Sequence, residues 1–139
     1  MGPTLVAFVL DNSVLMGWFV PSQANAYTRR CNRRARRESV FVPAFWEVEF
    51  ANVLLVLAAR KILHPHQAEA SLKHAARLPL TVDREPVAPR RLFELGERRR
   101  ISAYDAAYLE LAERRGVQLA TRDERLATVP GHTAVIEVV

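Results

Sequence analysis

Short apolar runs recur along this chain, and a segment of helical period follows almost every one. The first, LVAFVL at residues 5–10, is continuous rather than alternating, which marks a strand buried on both faces. Similar runs stand at residues 39–43, closed by Pro43, and at 80–82, 117–121 and 134–139. Between them helical periods run from residue 14 to Pro21, then over 22–37, 45–63, 66–78, 86–99 and 102–115, with a helical turn at 123–127. Pro65 suits a first helical turn, and Gly116 suits a helix stop. Strands alternating with helices predict an α/β fold: three layers (α/β/α) around a mostly parallel five-stranded sheet. With 139 residues and neither a linker nor a repeat, one domain over 1–139 is expected.

Composition narrows the class. Half the residues are hydrophobic and a quarter charged, as in a folded globular chain rather than a disordered one. No apolar run reaches the roughly 18 residues that span a bilayer, and the first ten residues lack a basic stretch and cleavage signal, so a cytoplasmic protein without a membrane association is expected. A single cysteine, Cys31, excludes a disulfide framework or a zinc knuckle. The net charge of +5 comes almost wholly from arginine. It fits a phosphate-rich partner and fits an arginine-biased composition equally well. Arg29, Arg30, Arg33, Arg34, Arg36 and Arg37 crowd one helix; they are either phosphate contacts or a solvated face. His64, His66, His74 and His132 form no ligand set and are read as surface or packing residues.

In parallel sheets, sites lie beyond the carboxyl ends of the strands. Asp11 follows the first strand, Asp123 the fourth, and Asp105 sits in the first turn of the helix feeding that strand. Glu47 and Glu49 open the oily helix FWEVEFANVLLVL after the second strand. Four carboxylates at one sheet edge raise one another's pKa and call for cations; oxygen ligands suit Mg²⁺ or Mn²⁺. Such a centre favours phosphodiester hydrolysis. Each acid also has a plainer role. Asp11 and Asp123 could cap the turns they precede, and Ser102 with Asp105 has capping-box spacing.

Helical phase separates the two glutamates. At about 100° per residue they point nearly oppositely, and Asn52 shares the face of Glu49. Glu49 with Asn52 as its amide partner is therefore the expected ligand, and Glu47 is assigned to the helix start. The same helix is apolar over more of its circumference than a one-sided helix needs, so it is either deeply buried or meets another chain.

Three segments carry a family resemblance: VLDNSVL, VPAFWEVEFANVLL and SAYDAAYLELAERRGVQLATRDERL. In this order they resemble the motif blocks of the PIN-domain family, and more narrowly the VapC-type toxins of type II toxin–antitoxin pairs. The resemblance implies an Mg²⁺- or Mn²⁺-dependent endoribonuclease. Asp11, Glu49, Asp105 and Asp123 would be its catalytic and metal-holding acids, with the hydroxyls of Ser13 and Thr121 in support. It also implies an RNA substrate, a homodimer and a cognate antitoxin protein. Glu47 departs from the pattern, since relatives usually carry a neutral or basic residue there. A non-toxin RNA-processing nuclease and an inactive RNA-binding or scaffold module stand as alternatives. A phosphoacceptor receiver module would need a second acid beside Asp11 and a late lysine; the chain has Asn12 and no lysine beyond Lys73.

Overall fold

The computed structural model describes residues 7–123 together with Leu126. The elements run β1 (Ala7–Leu10), α1 (Asn12–Phe19), a 3-10 turn (Pro21–Gln23), α2 (Ala26–Ala35), β2 (Ser39–Pro43), α3 (Trp46–Ala59), α4 (Pro65–Ala76), β3 (Leu80–Asp83), α5 (Pro89–Arg99), α6 (Ala103–Arg115) and β4 (Gln118–Ala120). The described strands form one parallel sheet in the order β3-β2-β1-β4. The fifth expected strand, at 134–139, lies outside the described residues.

Strand pleating divides the core. Phe8 and Leu10 of β1 join Val40 and Val42 of β2 on one face, packed against α1 to α4 through Leu15, Tyr27, Phe50, Leu54 and Ala75. Ala7, Val9 and Phe41 face the other way, toward Leu95 of α5 and Leu109 and Ala112 of α6. All four residues of β1 are buried, as a strand covered on both sides must be. The α/β fold with helices on both faces is thus the observed one. α6 is started by Ser102, whose hydroxyl accepts from the Asp105 N–H at 3.1 Å, and stopped by Gly116 at φ 66°. Near its end Arg114 ties it to β3, bonding Asp83 together with Glu110 at 2.7 Å.

The expected helix over 22–37 is corrected to a 3-10 turn and a shorter α2. Asn25 breaks the run: its side chain accepts from the Thr28 N–H at 2.8 Å while the Thr28 hydroxyl receives the Asn25 N–H at 3.0 Å, a reciprocal cap that starts the helix afresh. His64 caps α4 with Nδ1, which accepts from the His66 N–H at 3.3 Å, and His74 packs edge-on against Phe19. Both have structural roles; His132 lies outside the described residues.

α1 carries the first acid at its head, and α2 holds it in place. Gly17 allows the approach: a Cβ there would stand 2.5 Å from Thr28 Cγ2 and 2.8 Å from Thr28 Cβ. Thr28 cannot yield cheaply, because it is fully buried, its hydroxyl is engaged in the cap, and its carbonyl accepts from Trp18 Nε1 at 2.8 Å. Gly17→Ala should therefore destabilise the fold by about 1–3 kcal/mol through overpacking. Alanine's gain of roughly 1 kcal/mol in a helix offsets part of this, leaving a net loss of up to about 2 kcal/mol. A lowered urea midpoint at unchanged m is the expected result; a stabilised variant would mean the two helices have room to spare.

Candidate metal-dependent active site

The sheet order creates the site. From β1 the chain moves outward through β2 to β3, then returns to the other side of β1 as β4. The strand order thus reverses between β1 and β4, and a crevice opens beyond their carboxyl ends. Asp11 and Thr121 are the residues that leave these two strands. A cleft of about 530 Å³ occupies this place, lined among others by Asp11, Asn12, Ser13, Gln23, Glu49, Asp105, Arg122 and Asp123.

Asp11 is buried at the hinge of the crevice. Its N–H bonds to the Ala120 carbonyl at 3.0 Å, extending the β1–β4 ladder by one residue. Its Oδ2 accepts from Ser13 Oγ at 2.8 Å and from Thr121 Oγ1 at 2.7 Å. Each hydroxyl also accepts from the incoming strand's loop: Ser13 Oγ from the Arg122 N–H at 3.1 Å, and Thr121 Oγ1 from the Asp123 N–H at 3.0 Å. The turn bearing Asp123 is thereby fastened to the first acid. Tyr27 of α2 completes the fastening, its hydroxyl accepting from the Thr121 N–H at 3.0 Å.

Glu49 enters from α3 and is half-buried. Its partner is Tyr108 of α6, whose hydroxyl donates to Oε1 at 2.6 Å. Asn52, expected to support Glu49, is exposed and forms no hydrogen bond to it. Three residues' separation leaves the amide displaced toward the outer side of α3, while the acid turns inward. Glu47 points outward and pairs with Arg84 at 2.9 Å across the surface, an ion pair worth little in water.

Burial pushes the Asp11 carboxyl above the usual carboxylate range; bonds from Thr121 and Ser13 oppose this, and the charge of Asp105 adds to it. Burial likewise raises Glu49 against the Tyr108 bond, with repulsion from Asp11 and Asp105 acting in the same direction as burial. The acids of three elements therefore feel one another across the cleft. Burial and the neighbouring carboxylates hold the Tyr108 phenol far up, so it remains a donor at every physiological pH.

The donor set is all oxygen, which suits a hard divalent cation. Asn12 supports that fit: its Oδ1 is buried in the cleft wall with no partner among the described residues, an acceptor left to meet a donor. Among the described residues no three side chains form a ready-made coordinating group, so waters would have to complete the shell of any ion held here.

Sequence reasoning missed Tyr108 and Arg122. The signal for Tyr108 was its place one residue short of a full turn after Asp105, in DAAY. The signal for Arg122 was its position between Thr121 and Asp123. Arg122 is the one cation among the described residues lining the cleft, and its guanidinium is held by the Gln23 carbonyl at 2.8 Å. The arginine-rich segment of α2 and the turn after it divides: Arg34 is committed to Glu38 and lies over the Phe8 ring, whereas Arg29, Arg30, Arg33, Arg36 and Arg37 are exposed. None of these six lines the cleft.

The raised carboxyls have a thermodynamic consequence. The folded chain disfavours ionised Asp11 and Glu49 relative to the unfolded chain. Their contribution to stability is complete below the unfolded values of 3.8 and 4.5 and is lost as pH rises through the higher folded values. Asp11→Asn and Glu49→Gln should then raise the metal-free Tm at pH 7, by about 3–5 °C for each kcal/mol relieved in a chain this long. The gap from wild type should close near pH 4. Lower Tm values at neutral pH in both variants would mean that the bonds from Ser13, Thr121 and Tyr108 outweigh burial.

Comparison with known proteins agrees with this architecture. Residues 8–131 match the family model described as PIN domain. The ribonuclease VapC12 of Mycobacterium tuberculosis, in strains CDC 1551 and H37Rv alike, is 34% identical over 133 residues, covering 94% of this chain and 98% of the relative. The crystal structure of PAE2754 from Pyrobaculum aerophilum superposes with a TM-score of 0.73 at 21% identity, over 99% of this chain and 93% of the other.

Proposed function

The chain belongs to the PIN domain family, and we propose that it is a divalent-metal-dependent endoribonuclease of the VapC type, acting as the toxin of a toxin–antitoxin pair in the cytoplasm. The observation that carries this reading is the meeting of four carboxylates from four separate segments at the strand-order reversal, around one open cleft. The curated relative, matched over nearly its whole length, is a ribonuclease, which supports RNA as the substrate.

Asp11, Glu49 and Asp105 would hold the principal Mg²⁺ or Mn²⁺, with Asp123 completing the site. When bound, the metal supplies a water of lowered pKa and a counter-charge for the phosphate. The chain's own residues do the positioning. Ser13 and Thr121 orient the carboxylate of Asp11, and Tyr108 that of Glu49, which restricts the freedom each acid would lose on holding an ion. Arg122 lines the same cleft with its guanidinium tethered to the Gln23 carbonyl, and would supply a cation to a phosphate bound there.

The outer face of α3 supports an assembly reading. The helix buries Trp46, Phe50 and Leu54 yet leaves Val48 74% and Leu55 68% exposed. Two bare aliphatic side chains on one helix fit a contact with a second copy or an antitoxin protein. Among the described residues no helix is long and apolar enough to cross a membrane.

In an RNA cleavage assay supplied with Mg²⁺ or Mn²⁺, Asp11→Asn, Glu49→Gln and Asp105→Asn should each lose about 100-fold or more. Even residues that merely orient metal ligands cost 10–100-fold. Glu47→Gln should cleave like wild type, and chelation should abolish cleavage until metal is restored. Undiminished activity in the Asp11 and Asp105 variants would sink the assignment.

A further inference from the structure

The arginines of α2 and the turn after it fall on one side. At about 100° per residue, Arg29, Arg30, Arg33, Arg36 and Arg37 lie within about 120° of arc, and all five are exposed. The buried side, Tyr27, Thr28 and Cys31, lies opposite. Arg36 keeps helical backbone at the C-cap, so the row continues past the last turn. From Arg29 to Arg37 it spans about 12 Å at 1.5 Å per residue. The row begins beside the crevice and leads away from it. Tyr27, at the head of α2, accepts from the Thr121 N–H at 3.0 Å, and just ahead of the helix the Gln23 carbonyl accepts from Arg122 at 2.8 Å. Two turns later Arg34 reaches Gln118 Oε1, at the start of β4, at 3.2 Å. α2 therefore runs antiparallel to β4, down the flank of the sheet.

The segment does not balance this charge itself. Between Asp11 and Glu47 the one acid is Glu38, and Arg34 takes it with two bonds, at 2.6 and 2.8 Å. Among the described residues no carboxylate pairs with Arg29, Arg33, Arg36 or Arg37. The helix dipole favours cations in the last turn, which accounts for Arg33 and those after it, but Arg29 and Arg30 stand earlier. Arg29 with Arg33, and Arg33 with Arg37, are like charges at i, i+4 and repel. A linear polyanion relieves that repulsion, and at 3.4 Å per stacked nucleotide the row faces about three to four phosphates. We propose that this face of α2 is a phosphate track that grips the RNA backbone outside the catalytic cleft, on nucleotides that have left the crevice. This rests on the nuclease reading and adds a second hold on its substrate, one that is indifferent to base identity.

The test uses the cleavage-silent Asp11→Asn chain with Mg²⁺ and the fluorescence anisotropy of a labelled RNA of about 20 nucleotides, followed from about 0.1 to 1 M salt. Adding Arg29→Gln, Arg33→Gln and Arg37→Gln together should flatten the slope of log affinity on log salt by about 2, at about 0.7 per phosphate contact. Affinity should then fall about 100-fold near 0.1 M salt, with the gap closing toward 1 M. Arg29→Lys, Arg33→Lys and Arg37→Lys together should keep the slope. With Asp11 restored, the glutamine variant should raise KM and leave kcat unchanged, as loss of uniform binding does. An unchanged slope and affinity would make the row a solvated face and overturn the proposal. So would unchanged RNA binding alongside lost binding of poly-glutamate, which would give the row to an acidic protein. Wild-type cleavage, followed in parallel, tells the two readings apart. Intact cleavage with a slope indifferent to the arginines removes only the track, whereas a wild-type chain that neither binds nor cuts RNA removes both.

Discussion

Everything around the cleft depends on one carboxylate oxygen. Asp11 Oδ2 accepts hydroxyls from both sides of the strand reversal, Ser13 from the start of α1 and Thr121 from the end of β4. Each hydroxyl then accepts a backbone N–H from the loop that bears Asp123. A buried acid is costly, and these bonds offset part of that cost while fixing the relation between the two strands that frame the crevice. The remaining acids are set by longer levers. α3 is held by its buried aromatic side, and α6 by a cap at its head and an arginine anchor near its tail.

The difference between Glu49 and Glu47 shows how far a sequence can be read. Phase along α3 separates an inward acid from an outward one, because 100° per residue is a local property of the helix. The same reasoning fails for Asn52, since a partner is chosen by whatever packs against the helix, and that is α6, 59 residues away. The strands were legible because a short, continuous apolar run between turn residues suits a strand covered on both faces and little else. The break between the 3-10 turn and α2 was harder to see, because Asn25 sits in a stretch whose composition otherwise continues as helix. Arg122 was overlooked for a related reason. Its guanidinium is held by the Gln23 carbonyl, which lies at the end of the 3-10 turn where that helix breaks.

Converging acids and raised carboxyls point the same way. The fold tolerates desolvated, mutually repelling groups at one place and compensates with apolar packing on both faces of the sheet. Structural convenience would place neutral residues there. The strain is confined to the end of the sheet where chemistry is expected, and the opposite end carries none of these four acids.

The bond between Thr121 and Asp11 joins residues 110 positions apart. A chain growing on the ribosome therefore has its first acid exposed to the cell long before the residue that orients it exists. At ordinary synthesis rates of about 5–20 residues per second, that interval is on the order of ten seconds. Throughout it, neither the crevice nor the fourth carboxylate is present. For a nuclease made amid the RNA it can cut, this delay is protective: the blade is forged first and the hinge last, and a prematurely terminated product has no edge.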